Sequence, residues 1–151
     1  MKLMQRLALL FTLSLGFAAP SAHAGHIGGY LGTDMFLANG GTTSYTTGGF
    51  DAAMSLAPNL EIGAFWNHAA NAANTMVGGE LLLYPLLYKM LYVEGKMANS
   101  NYADGTNRIA YGPGAGVNFD VLPMLLSIGA DATYYFNINN LTILGNLKVW
   151  F

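Results

Sequence analysis

Residues 141–151, L-T-I-L-G-N-L-K-V-W-F, alternate with a period of two and end on an aromatic side chain. Leu141, Ile143, Gly145, Leu147, Val149 and Phe151 share one face of an extended strand. Thr142, Asn146 and Lys148 take the other, interrupted by Leu144 and Trp150. A closing strand reads this way when one side meets lipid and the other a lumen.

The N-terminus bears on where such a strand would reside. Lys2 and Arg6 precede an apolar run over 7–19, and Ala22-His23-Ala24 supplies an A-x-A site. Residues 1–24 are therefore expected to be a secretory signal peptide, cut after Ala24. The apolar run is shorter than the ~20 residues of a spanning helix. Residues 25–151 remain as one domain. They carry eight acidic residues against Lys89, Lys96, Arg108 and Lys148, so nothing suggests a nucleic-acid partner and none is expected. There is no cysteine, so packing and backbone pairing must hold an exported chain without disulfides.

Composition then narrows the fold. The chain is 53% hydrophobic and only 9% charged, yet its longest apolar stretch after the leader, 81–88, is broken by Pro85. That leaves a greasy soluble domain or a membrane β-barrel. Alternating segments separated by turn residues are expected at 27–37, 46–56, 60–68, 76–84, 89–97, 108–119, 125–136 and 141–151. Eight strands of this length match the ~9–11 residues of a tilted membrane strand. Connections at 58–59, near Pro85 and at 120–123 read as short turns. Those at 38–42, 69–75 and 99–105 read as longer loops, with 99–105 the longest. Pro113 is expected to bring a bulge or local break.

Charge placement carries the argument further. Asp34, Asp51, Glu61, Glu80, Glu94, Lys96, Arg108, Asp131 and Lys148 all fall opposite the apolar set of their own segment. A charge facing lipid near mid-membrane costs ~2–4 kcal/mol, whereas one facing a lumen can be paired or hydrated. Trp66, Tyr111, Tyr134 and Phe136 fall toward one end of the apolar faces, and Phe119 and Phe151 toward the other. Two such belts suit amphipathic rings at membrane interfaces.

With these residues in view, 25–151 resembles the small eight-stranded outer-membrane barrels of Gram-negative bacteria, the group of OmpX, OmpW and the OmpA membrane domain. The resemblance implies an all-β, eight-stranded antiparallel up-and-down transmembrane β-barrel. It implies contact with outer-membrane lipids and lipopolysaccharide, and localisation to the cell outer membrane. Val149 and Phe151 resemble the C-terminal signal read by the outer-membrane barrel assembly machinery. The family pattern places a glycine five positions before the final aromatic, where this chain has Asn146 and carries Gly145 beside it.

Function is less constrained. Asp120 joins the carboxylates expected to face the lumen, and Asp51, Glu80, Glu94 and Asp131 are expected at similar heights. They could line a cation-preferring path, but an eight-stranded interior is only about wide enough for its own side chains, which favours a plug. Tyr30, Phe65 and Tyr92 would help to fill it. No catalytic set is expected: His68 has no serine beside it, and His26 falls at the opposite end. Two distant histidines without cysteine suggest no metal or other cofactor. The expectation is a non-enzymatic structural or surface-interaction barrel with a filled polar lumen. Its alternatives are a narrow porin-like pore for ions or small solutes and, third, a soluble lipocalin-like carrier.

Overall fold

A computed structural model describes residues 24–38, 40–70, 74–85 and 89–151. The expected leader, apart from Ala24, lies outside the described residues. Among the described residues every regular element is a strand: β1 (Gly25–Ala38), β2 (Gly41–Ala57), β3 (Leu60–Ala69), β4 (Asn74–Leu83), β5 (Leu91–Asn101), β6 (Asn107–Leu122), β7 (Leu126–Tyr135) and β8 (Asn140–Trp150). Each strand pairs antiparallel with its sequence neighbour, and β8 returns to β1 to close a barrel. The closing ladder runs from His26↔Trp150 to Phe36↔Asn140. Beyond it, the amides of Gly25 and Ala24 donate to the Phe151 carbonyl, and the Phe151 amide donates to Gly25 at 3.1 Å. Closure leaves no edge strand, as a backbone surrounded by hydrocarbon requires.

The alternation read from the sequence sets the two faces of the wall. Ile27, Leu31, Phe50, Met54, Ile62, Leu81, Val93, Met97, Ile109, Ile128 and Leu147 are exposed on the outside. His26, Asp51, Glu61, Glu80, Glu94, Lys96, Asp131, Asn146 and Lys148 are buried within. This inverts a water-soluble protein.

Several boundaries differ from the sequence expectation. Residues 99–101 belong to β5, so the connection at 102–106 is shorter than that at 84–90. The hydroxyl of Ser100, bonded to Asn74 at 2.8 Å, holds this stretch in the wall. β2 begins at Gly41 rather than at 46, because 41–46 pairs with β1 up to Ala38↔Gly41. Pro113 keeps its register opposite Gly95 of β5, without a bulge there. The β6–β7 ladder ends at Gly114, beside the proline that can donate no ladder bond, and its register shift lies between Asp120 and Leu122.

Candidate functional site

The interior gathers the buried polar and charged side chains, and glycines on the inward face make room for them. A Cβ on Gly28 would fall 2.1 Å from Asp51 Oδ1, and one on Gly116 would fall 2.3 Å from the Tyr92 ring. The long inward side chains therefore lie across neighbouring strands where those have no side chain of their own. We call the end holding Gly25 and Trp150 proximal and the opposite end distal.

At the proximal end Glu61, fully buried, gathers four donors. Its Oε2 lies 2.9 Å from His26 Nδ1 and accepts the Tyr84 hydroxyl at 3.0 Å. Its Oε1 accepts from Lys89 and, at 3.2 Å, from Ser55. Lys89 Nζ also sits 4.7 Å above the Trp150 ring, and the Trp150 indole donates to Ser127 at 2.9 Å. Ala53, Leu82, Tyr84, Tyr92 and Trp150 form one buried apolar cluster here.

Lys96 forms the middle of the site. Its Nζ lies 3.1 Å from Glu94, 3.7 Å from Glu80 and 3.9 Å from Asp131. Glu94 also accepts from Thr133, and Asp131 accepts from Asn146 at 2.9 Å and Tyr92 at 3.2 Å. Lys148 Nζ sits 4.4 Å over the Tyr92 ring. One ammonium thus serves three carboxylates drawn from β4, β5 and β7.

The distal interior is nearly free of charge. Thr142 donates to Asp34, Thr47 donates to Asn67, and Phe65, Met76, Ala98, Ala110 and Tyr135 form a second buried apolar cluster. Lys96 Nζ lies 5.4 Å from the Phe65 ring, at the boundary.

Eight of the ten charged residues expected to face the lumen are therefore inside. Arg108 is not. It has inward parity, but it lies near the distal start of β6, exposed, with its guanidinium 5.9 Å from the Tyr102 ring. Asp120 is likewise exposed, at the proximal register shift of β6. The sequence reading missed His26 and Lys89. His26 shares the parity of Asp34 on β1, which could have placed it inside. Lys89 opens the segment expected at 89–97 with the outward parity of Leu91 and Val93, but β5 begins only at Leu91, so that parity does not apply to it. The separation of the two histidines does not leave His26 without companions: closure brings it beside Asp51 and Glu80, with one ligand atom from each of the three within 4.8 Å of the others.

Of the aromatic residues read as belts, Tyr111, Phe119, Phe136 and Phe151 are exposed. Trp66 stacks on Phe50 at 5.4 Å, and Tyr134 meets Phe136 edge-on at 5.4 Å. Val149 and Phe151 both face outward.

No protein-family model matches the sequence, and a search of curated proteins finds no match. Solved structures do match in shape. The N-terminal β-barrel domain of Pseudomonas aeruginosa OprF superposes with a TM-score of 0.62 at 11% identity, covering 84% of this chain and 99% of that one. The chain has the fold of the eight-stranded outer-membrane β-barrels. Neisserial surface protein A matches with a TM-score of 0.55 at 12% identity, covering 85% of this chain and 97% of that one. A de novo designed transmembrane β-barrel matches at 0.53 and 19% identity, covering 84% of this chain and 96% of that one.

Proposed function

We propose that this barrel is a non-enzymatic structural component of the outer membrane, with a lumen closed to solutes and only its distal rim available to the exterior. The supporting observation is the filling of the interior. Two buried apolar clusters lie at different heights, and the Lys96–carboxylate group lies between them. An eight-stranded barrel has little width to spare beyond its own side chains. A rigid polar network then ties β4, β5 and β7 together rather than lining a path. Export through the leader, insertion by the barrel assembly machinery through Val149 and Phe151, and contact with lipopolysaccharide at the distal belt complete the reading.

Planar-bilayer recording tests it. The reconstituted barrel is expected to stay electrically silent. Regular conductance steps that shrink when Glu80 or Glu94 is changed to glutamine would instead establish the narrow pore.

A further inference from the structure

The carboxylates of the interior outnumber its cations. Asp34, Asp51, Glu61, Glu80, Glu94 and Asp131 are buried, and among the described residues only Lys89, Lys96 and Lys148 reach them as permanent cations. Lys96 is shared three ways and Lys89 is engaged by Glu61. Asp51 Oδ1 and Glu80 Oε1 are buried with no hydrogen-bond partner. Glu80 shares Lys96 with two other carboxylates and Asp51 meets only His26 among the described residues, so partly compensated charge and unused lone pairs coincide here.

His26 is oriented for that place. Its Nδ1 faces Glu61 and its Nε2 faces Asp51, and both carboxylates can only accept, so Glu61 can keep the Nδ1 proton while Nε2 is the nitrogen a metal would take by displacing its proton. A carboxylate behind a histidine is how metal-ligating imidazoles are fixed in tautomer and made more basic. Nε2 lies 3.4 Å from Asp51 Oδ2. That is long for a charge-assisted hydrogen bond, but it matches the ligand–ligand spacing of about 3.3 Å in a tetrahedron with bonds of roughly 2.0–2.1 Å.

We propose that His26, Asp51 and Glu80 form a divalent transition-metal site of zinc type inside the barrel. One neutral imidazole and two carboxylates would balance the charge of a dication. Glu61 is the positioning residue, acting through His26. All three ligands are buried and come from β1, β2 and β4, so the ion enters as the barrel closes and then ties those strands together.

The protein is unfolded and refolded in detergent with Zn2+, passed over a chelating resin, and assayed for retained metal. Retention of one ion per chain is expected, with loss in Asp51→Asn and Glu80→Gln proteins that still run as folded barrels on unheated gels. His68→Gln should keep its ion, and Glu61→Gln should weaken affinity by roughly 10–100-fold. No retained metal in the unsubstituted protein, or equal retention in Glu80→Gln, overturns the site. Should the variants fail to fold, nitrogen NMR of the unsubstituted barrel decides. A His26 Nε2 resonance displaced by Zn2+ upholds the site, and an unmoved one overturns it.

Discussion

In the proximal half of the lumen Glu61 takes bonds from His26, Tyr84, Ser55 and Lys89, and Lys96 above it binds three further carboxylates. In the distal half Asp34 has no cation beside it among the described residues. It accepts from Thr142, whose hydroxyl oxygen also lies 3.0 Å from the Asn140 side-chain amide. One half is held by charge and the other by neutral hydroxyls and amides packed on an apolar cluster. The contrast teaches that burial alone does not decide how a lumen is filled. Where many carboxylates converge, cations must follow; where one stands alone, a hydroxyl can serve it.

Lys96→Met should break the charged half and have the largest effect. It leaves Glu80, Glu94 and Asp131 without their common cation, and removing one partner of a buried ionic group costs about 3–5 kcal/mol. Urea unfolding of the barrel in lipid vesicles should show that loss as a lowered midpoint. A midpoint within experimental error of the parent would mean that water already screens this group.

A matched pair sharpens the contrast. Glu61→Gln keeps size but removes the charge facing His26 and Lys89, and a hydrogen bond to a charged group contributes about 1.5–3 kcal/mol. Asp34→Asn meets no cation and can still accept from Thr142, so its cost should stay under about 1 kcal/mol, the scale of a neutral hydrogen bond. If the two substitutions proved equally costly in the same urea assay, the division of the lumen into two regimes would be wrong.

Much of this division was open to reading in advance. Glu94 and Lys96 share a parity within one short strand, and Leu91, Val93 and Met97 oppose them, so β5 could be placed inside-out from its letters alone. Arg108 shows where parity stops being enough. It marks the correct face, but the height of a residue along the wall decides whether that face is lumen or solvent, and height depends on where the strand begins. The His26–Asp51–Glu80 group could not be read at all, because its members come from three strands and meet only once the register around the closed barrel is known.

The smallest effect is expected outside the lumen, at the distal connection after β5. Asp104 is fully exposed, and its carboxylate accepts the amide of Thr106 at 2.8 Å as well as the Thr106 hydroxyl. These donors, the hydroxyl foremost, hold its pKa below the ordinary aspartate value. The folded value is thus depressed, so the turn's added order is present above the unfolded value of about 3.9 and lost as pH falls through the lowered one. The Thr106 amide resonance should hold its position down through the ordinary carboxylate range and move only below it. In Asp104→Asn that movement should vanish while the urea midpoint of the barrel stays unchanged, because an exposed turn beyond the wall carries no strand pairing. A midpoint that fell as far as that of Glu61→Gln would show instead that this connection anchors β5 to β6, and that the distal end is held by more than the neutral network beneath it.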